Sequence, residues 1–159
     1  MVIFDKDGTL VKDQGYVHKI NDFEWNSSGL ELLKIASLHK ACICVMSNQS
    51  GIEKKLYSRY QSIKFCKHLI RKARELDIDI RKIIICPHKE NSSHFCNCRK
   101  PEIGMYLKLR KYLWARNIKT IMVGNSATDF EFSKNCGIPY IDVGHRNSPA
   151  QMMKFLKIK

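Results

Sequence analysis

Several features are scarce or missing in this chain of 159 residues. No apolar run approaches the roughly 20 residues that a membrane-spanning helix needs, which excludes an integral membrane protein. The opening Met-Val-Ile-Phe-Asp lacks the long apolar stretch of a signal peptide, so we expect a cytoplasmic protein. No internal repeat, low-complexity stretch or Pro/Gly/Ser-rich linker divides the chain. We therefore expect a single domain over residues 1–159.

Acidic residues are also scarce relative to basic ones. The 15 Asp and Glu against 28 Lys and Arg give a formal net charge of +13, and 44% of the residues are hydrophobic. This composition excludes a disordered chain. The positive surplus predicts an anionic partner, which could be a phosphorylated metabolite, nucleic acid or a membrane surface. Neither a helix-turn-helix nor an aromatic RNA-binding motif is present, so nucleic acid is disfavoured.

Short apolar runs rich in β-branched residues alternate with longer segments of helical spacing. Five such runs predict strands, at residues 1–4, 41–46, 82–86, 120–123 and 138–143. Residues 63–76 predict an amphipathic helix, Pro101 is placed to start another helix, and Gly137 to end one. The alternation predicts an α/β fold with a mostly parallel sheet covered by helices on both faces, whose ligands bind beyond the carboxyl ends of the strands.

Two acids follow the first predicted strand. Asp5 and Asp7 lie two residues apart where strand gives way to loop, so they repel one another and need a cation or a substrate to compensate. One could attack phosphorus while the other moves the proton of the leaving group. The alternative is a solvated Asp-Gly turn, in which Gly8 permits the sharp bend.

A cluster of metal-ligand types follows the third predicted strand. Within thirteen residues stand three thiols and an imidazole that match a tetrahedral Zn²⁺ site: Cys86, His88, Cys96 and Cys98. His94 is a spare candidate ligand. Without an export signal, clustered thiols favour metal over disulfides. Scattered buried cysteines are the alternative, which suits Cys42 and Cys44 in an apolar strand better than this polar loop.

Polar loops follow the remaining strands. Residues 47–51, Ser-Asn-Gln-Ser-Gly, offer hydroxyl and amide donors suited to an anion, although such a loop is also an ordinary turn. Arg99 and Lys100 directly follow the cysteine cluster, where two fixed cations could neutralise a phosphoryl group. Residues 124–129 end in Asp129, which could bind metal or cap the next helix.

Taken in order, these four loops resemble the motifs of the haloacid dehalogenase superfamily of phosphatases. The resemblance covers residues 2–143 and pairs four segments with the four motifs, in chain order: residues 5–9, Ser47, Lys100 and residues 124–129. A zinc loop over residues 86–98 narrows the resemblance to the subgroup of heptose bisphosphate and histidinol-phosphate phosphatases. Three segments favour the heptose enzymes within it, namely residues 15–17, 48–52 and 99–105.

The resemblance implies hydrolysis of a small sugar phosphate in two steps. Asp5 would attack the phosphate and form an aspartyl-phosphate. Asp7 would protonate the departing sugar oxygen and then activate the water that hydrolyses the intermediate. Lys100 would act in catalysis and, with Ser47, bind the transferring phosphoryl group. Two further residues would contact substrate: Asn48 and Arg99.

The resemblance also implies two metals and an architecture. Mg²⁺ would be held by the Asp5 carboxylate, the Asp7 backbone carbonyl and the fourth motif, through Asn125 or Asp129. A structural Zn²⁺ would be held by the loop of residues 86–98, through Cys86, His88, Cys96 and Cys98. The implied fold is a three-layer α/β/α Rossmann-like monomer without a large cap domain, and the implied role is in lipopolysaccharide precursor biosynthesis.

Two places depart from the family pattern. Asn125 stands where these enzymes usually have a Mg²⁺-binding Asp, which removes one negative charge, and Asp129 could substitute for it. Residues 53–55 are Glu-Lys-Lys where the family has Ala-Arg-Gly. Two alternatives to a heptose phosphatase therefore stay open: a histidinol-phosphate phosphatase, and a catalytically weakened protein that binds nucleic acid or another polyanion.

Overall fold

The computed structural model describes residues 1–92, 96–114 and 118–157. Strands and helices alternate along the chain. The strands are β1 (Val2–Phe4), β2 (Ile43–Asn48), β3 (Ile80–Cys86), β4 (Ile121–Gly124) and β5 (Tyr140–Asp142). The helices are α1 (Ser27–Leu38), α2 (Arg59–Arg74), α3 (Gly104–Tyr112), α4 (Ala127–Asn135) and α5 (Ser148–Lys157), with a short 3₁₀ helix at Ile20–Asp22. All five predicted strands are confirmed.

The strands form one parallel sheet in the order β3-β2-β1-β4-β5. The chain first builds outward from β1 to β3, then crosses back to place β4 on the other side of β1. This reversal leaves a crevice beyond the carboxyl end of β1, where open α/β sheets bind their ligands. Because all strands point the same way, the loops that follow β1, β2 and β4 meet at this edge.

Helices cover both faces of the sheet, as predicted. Alternate residues of a strand point to opposite faces, so Val2 and Phe4 enter one hydrophobic cluster and Ile3 enters another. The first cluster packs against α1, α2 and α5, through residues such as Leu33, Leu69 and Met152. The second packs against α3 and α4, through Met105, Leu109 and Phe132. Cys44 lies in the second cluster, which confirms that it is a core residue.

Residues 5–42 and 49–79 are described throughout and link β1 to β2 and β2 to β3. They contain only α1, the Ile20–Asp22 turn and α2 as regular elements, so no large cap domain is inserted there. Across the described ranges, no helix has the length and the apolar character needed to cross a membrane.

The helix predicted to start at Pro101 begins instead at Gly104, so that prediction was wrong. The preceding residues are held in turns that tie them to the cysteine loop. The Glu102 N–H donates to the Arg99 carbonyl at 2.8 Å, and the Gly104 N–H donates to the Asn97 carbonyl at 2.8 Å. These short-range turn contacts override the preference of proline for a first helical position.

Other helix boundaries follow local capping. α2 begins at Arg59 because Ser58 and Gln61 form a reciprocal capping box ahead of the apolar residues that revealed the helix. Gly137 has a positive φ of 65° just past α4 and ends that helix, as predicted. The periodicity did not predict α5, whose Met152 is buried in the first hydrophobic cluster.

Candidate active site

A cavity of about 320 Å³ lies beyond the carboxyl ends of β1, β2 and β4. All residues predicted to act in catalysis, in substrate binding or on Mg²⁺ line it: Asp5, Asp7, Ser47, Asn48, Arg99, Lys100, Asn125 and Asp129. They come from four separate segments of the chain. The exposed Asp13, for which the sequence carried no signal, also lines this cavity.

Asp5 is buried at the end of β1, with 7% of its surface exposed. Its N–H donates to the Val123 carbonyl at 2.9 Å, which fixes its backbone against β4. Lys100 Nζ donates to Oδ1 at 2.6 Å, whereas none of the residues in the described ranges donates a hydrogen bond to Oδ2. Burial raises the pKa of Asp5 to about 7, against the opposing effect of Lys100. One carboxylate oxygen is therefore anchored, and the other is available at the cavity.

Lys100 is a buried cation between two carboxylates. Its Nζ lies 2.6 Å from Asp5 Oδ1 and 2.5 Å from Asp129 Oδ1, and donates to the Met46 carbonyl at 3.1 Å. Against the effect of burial, the Asp5 and Asp129 carboxylates raise the pKa of Lys100 above its ordinary value. Lys100 is thus held in the charged form beside Asp5.

Asp129 has two structural roles in this site. Its Oδ2 accepts from the Ser126 N–H at 3.3 Å, which closes a capping box at the start of α4 and confirms the predicted capping role, and it also accepts from Ser126 Oγ at 2.7 Å. Its Oδ1 holds Lys100. Gly124 allows this close approach, because a Cβ there would lie 2.5 Å from the Asp129 Cβ. The alternative role of Asp129 as a Mg²⁺ ligand stays a prediction.

Asn125 is packed tightly against the loop that follows β1. Its Oδ1 accepts from Thr9 Oγ1 at 3.0 Å, and a Cβ on Gly8 would come within 2.3 Å of its Nδ2. A carbonyl oxygen has a second lone pair, so this hydrogen bond leaves room for a cation. Oxygen donors of the carboxylate and amide type are those that Mg²⁺ prefers. The donor set around Asp5 and Asn125 therefore fits Mg²⁺.

The Asp7 carboxylate is engaged at both oxygens. Lys6 Nζ lies 2.6 Å from Oδ1. Gln49 Nε2 donates to Oδ2 at 2.7 Å, and Ser47 Oγ donates to the same oxygen at 3.4 Å. Tyr57 Oη in turn donates to Gln49 Oε1 at 2.8 Å. Sequence reasoning gave no role to Lys6 or Tyr57, although the position of Lys6 between the two acids was a signal, and it offered Gln49 only as a loop donor for an anion.

The four predicted zinc ligands come together at the end of β3. The ligand atoms of Cys86, His88, Cys96 and Cys98 all lie within 4.8 Å of one another. Their Sγ–Sγ distances are 3.6 Å, 3.2 Å and 3.1 Å. Tetrahedral Zn–S bonds of 2.3 Å place sulfur atoms about 3.8 Å apart, so small shifts accommodate the ion. The cluster fits Zn²⁺, while His94 lies outside the described residues.

Hydrogen bonding already favours a thiolate in this cluster. Burial acts to raise the pKa of the Cys96 thiol, but hydrogen bonds from the Cys98 side chain and from the backbone of Cys98 and Arg99 lower it to about 7. Burial raises the pKa of Cys86. A Zn²⁺ ion would hold all three cysteines as thiolates.

Arg99 connects the cysteine loop to the cavity. Its guanidinium donates to the His88 carbonyl at 3.1 Å and to Glu90 Oε1 at 2.6 Å. It also lines a second cavity of about 540 Å³, together with Lys89, Lys100 and Thr128. Both cavities therefore share the cationic pair that the sequence analysis singled out.

Glu53, one of the residues that departs from the family pattern, ties two loops together. Its carboxylate accepts from the Lys89 N–H and from Ser92 Oγ, each at 2.6 Å. Hydrogen bonds from Ser92 and from the Lys89 backbone lower the pKa of Glu53. The segment after β2 is thus fixed to the loop that carries the cysteines.

Comparison with known proteins gives concordant results. The model of the family described as "Polynucleotide kinase 3 phosphatase" matches residues 1–142. A D-glycero-alpha-D-manno-heptose-1,7-bisphosphate 7-phosphatase from Campylobacter jejuni is 32% identical over 137 residues, which is 86% of this chain and 77% of that protein. A D-glycero-beta-D-manno-heptose-1,7-bisphosphate 7-phosphatase from Haemophilus influenzae is 32% identical over 134 residues, 82% of this chain and 73% of that protein.

A solved structure shares the fold. The D,D-heptose 1,7-bisphosphate phosphatase from B. bronchiseptica, crystallised with magnesium and phosphate, superimposes with a TM-score of 0.78 at 21% identity. The superposition covers 94% of this chain and 85% of that one.

Proposed function

The chain belongs to the polynucleotide kinase 3 phosphatase family, within the haloacid dehalogenase-like phosphatases, and from this membership we propose that it hydrolyses the 7-phosphate of a heptose 1,7-bisphosphate. It is a phosphoric monoester hydrolase. One observation carries the proposed chemistry: Asp5 has one oxygen held by Lys100 and the other available at a cavity that Asp7 also lines.

In the first step Asp5 is the nucleophile. Its Oδ2 attacks phosphorus while the bond from phosphorus to the sugar oxygen breaks, which leaves an aspartyl-phosphate on Asp5. Lys100 holds Oδ1 and offsets the negative charge near the phosphoryl oxygens, and Ser47 offers its hydroxyl to them. Asp7 gives its proton to the departing sugar oxygen.

In the second step Asp7 is the base. It takes a proton from the water that attacks the aspartyl-phosphate, so Asp5 is released with phosphate and Asp7 is ready for the next cycle. The same carboxylate serves both steps because the leaving oxygen and the attacking water use the same side of the phosphorus. Asp7 lines the cavity with 26% of its side chain exposed, which supports this access.

Asp5, the backbone carbonyl of Asp7 and Asn125 would hold Mg²⁺, with Asp129 as a further candidate ligand. When bound, Mg²⁺ would neutralise phosphoryl charge and orient the phosphate for in-line attack. Cys86, His88, Cys96 and Cys98 would hold a structural Zn²⁺, and the contact of Arg99 with the His88 carbonyl would then fix Arg99 towards substrate.

The site supports a substrate with a second anionic group. Arg99 borders both the catalytic cavity and the neighbouring cavity of about 540 Å³, which is also lined by Lys89 and by the acids Glu90, the partner of Arg99, and Glu102. A bisphosphate could place one phosphate at Asp5 and direct the other towards these cations.

The free thiols that a zinc loop needs persist in a reducing compartment, which supports a cytoplasmic location. Size-exclusion chromatography with light scattering tests the expected monomer.

A substrate panel tests the proposal. Phosphate release is measured with Mg²⁺ from both heptose 1,7-bisphosphate anomers, histidinol phosphate and p-nitrophenyl phosphate, for the parent chain and Asp5→Asn. We expect the highest kcat/KM on a heptose bisphosphate and no turnover by Asp5→Asn, whose folding is checked by circular dichroism. A preference for histidinol phosphate would contradict the proposal that the substrate is a heptose 1,7-bisphosphate. Salt-dependent nucleic-acid binding without any turnover would contradict the proposal that the chain is a phosphatase.

A further inference from the structure

Both oxygens of the Asp7 carboxylate are held by side chains to which the proposed mechanism gives no role. Lys6 Nζ lies 2.6 Å from Oδ1, and Gln49 Nε2 lies 2.7 Å from Oδ2. We infer that Lys6, Gln49 and Tyr57 are positioning residues that set the direction in which Asp7 transfers its proton. This inference rests on the proposed function, because it takes Asp7 as the general acid and base.

Lys6 is a buried cation that contacts the Asp7 carboxylate. It is 1% exposed, and its Nζ donates to Asp7 Oδ1 and, at 3.2 Å, to the Val17 carbonyl. The ammonium also lies 4.4 Å from the centre of the Phe65 ring on α2. A buried charge is costly unless it is paired. Within the described ranges, Asp7 is the only carboxylate in an ion pair with Lys6. The ion pair and the ring thus fix Oδ1 from the core side.

Gln49 fixes the other oxygen through a buried amide. Its Nε2 donates to Asp7 Oδ2 and, at 2.8 Å, to Ser47 Oγ. Its Oε1 accepts from Tyr57 Oη at 2.8 Å and from Ser62 Oγ at 3.4 Å. The Tyr57 hydroxyl donates to the amide oxygen of Gln49, so the amide nitrogen faces Asp7. Both ends of the Gln49 amide are therefore engaged, which leaves it one orientation.

Tyr57 is itself locked in place. It is 6% exposed, its ring stacks on His18 with centroids 4.5 Å apart, and a Cβ on Gly51 would come within 2.2 Å of the ring. The positions of Tyr57 and Ser62 depend on the start of α2. Asp7 is thereby tied to the start of α2 as well as to its neighbour Lys6, which suits a group that must meet a substrate oxygen within hydrogen-bond distance.

The positioning of Asp7 should matter more for an ester with a poor leaving group than for one with a good leaving group. A sugar alkoxide is a poor leaving group, so its departure depends on a well-directed proton from Asp7. A p-nitrophenolate leaves readily without that proton. Loss of Asp7 positioning must therefore slow the sugar phosphate more than the aryl phosphate. A purely structural role would slow both esters by the same factor, because it would reduce the amount of active enzyme.

The experiment compares kcat/KM on a heptose bisphosphate and on p-nitrophenyl phosphate, since kcat/KM reports phosphoryl transfer to Asp5 even when later hydrolysis limits kcat. Gln49→Met removes the donors that reach Asp7, and Tyr57→Phe removes only the hydroxyl behind them. Matched controls are Gln151→Met and Tyr60→Phe, at exposed positions on α5 and α2. Thermal unfolding is measured for every variant.

We expect Gln49→Met to lose about 30-fold or more on the sugar phosphate and less than about 3-fold on the aryl phosphate, within the range of general acid catalysis. Tyr57→Phe should show the same selectivity at smaller size, and neither control should show it. Lys6→Met should follow Gln49→Met, and Asp7→Asn sets the largest selectivity attainable.

Equal losses on both esters, or no loss on either, would overturn the inference. If Gln49→Met and Lys6→Met fail to fold, the selectivity of Tyr57→Phe decides, and an unchanged ratio between the two esters overturns it. A parent chain that hydrolyses neither ester would overturn the proposed function and this inference together, whereas an active parent with unselective variants overturns the inference alone.

Discussion

The side chain of Asn48 holds the backbone of Lys100 at two points. Its Oδ1 accepts from the Lys100 N–H at 3.0 Å, and its Nδ2 donates to the Lys100 carbonyl at 3.0 Å. The resemblance assigned Asn48 to substrate contact. Because both ends of its amide are used on Lys100, the geometry supports a different role, in which Asn48 sets the position of the Lys100 ammonium beside Asp5. Direct contact with substrate stays a prediction.

Asn48→Ala distinguishes these roles. We expect kcat/KM to fall by about 10- to 100-fold on both p-nitrophenyl phosphate and the heptose bisphosphate, since a displaced Lys100 affects phosphoryl transfer to Asp5 in every ester. Asn147→Ala, at an exposed position before α5, is the control. A higher KM for the sugar phosphate alone, with normal aryl phosphate hydrolysis, would show that Asn48 contacts the substrate directly.

The cysteine cluster should bind one Zn²⁺ per chain. Metal analysis and mercurial titration with a chromogenic chelator are expected to show about one zinc in the parent and almost none in Cys98→Ala. Loss of a structural zinc removes folding free energy, and each kcal/mol corresponds to roughly 2–4 °C in a chain of this size. We expect the Tm of Cys98→Ala to fall by more than about 5 °C.

Cys136→Ala is the matched control for the zinc prediction. Cys136 is a partly exposed thiol that is not among the four clustered ligands. It should retain zinc and lose little stability. Equal zinc content in Cys98→Ala and Cys136→Ala would show that the cluster does not bind the metal.

Asn125→Asp should tighten Mg²⁺ binding. The substitution restores the negative charge that the family usually has here, in the same cavity as Asp5 and next to Thr9. We expect the Mg²⁺ concentration for half-maximal activity to fall by about 10-fold, equivalent to about 1.4 kcal/mol. Asp142→Asn removes one negative charge outside the catalytic cavity and is the control for a change in net charge alone, so it should leave the Mg²⁺ dependence unchanged. An unchanged Mg²⁺ dependence would show that Asn125 is not a ligand.

The sequence predicted the strands and the polar side chains that follow β1 and end β2, because Asp5 and Ser47 interrupt apolar runs. It could not predict contacts between distant segments. Thr9 and Asn125 are 116 residues apart, and Lys100 meets Asp5 across 95 residues. The wrong helix start at Pro101 has a different, local origin, since the preference of proline yielded to short-range hydrogen bonds from Glu102 and Gly104.

The ionisation of Asp5 should lower the free energy of unfolding as the pH rises. Burial raises the pKa of Asp5 to about 7 in the folded chain, from 3.8 as its ordinary value. Between these two values the unfolded chain has released the proton and the folded chain has kept it, so the unfolded state binds fewer protons. The free energy of unfolding must therefore decrease as pH increases through this window.

Asp5→Asn removes this dependence, and its Lys100 partner keeps the ion pair with Asp129. Relative to the parent, the variant should gain on the order of 3 kcal/mol between pH 4 and pH 7 and little further above pH 7. Denaturant unfolding at several pH values in Mg²⁺-free buffer measures the difference. Asp13→Asn, an exposed position in the same cavity, is the control for removing one carboxylate. A constant difference between Asp5→Asn and the parent across this range would mean that burial does not hold the proton on Asp5.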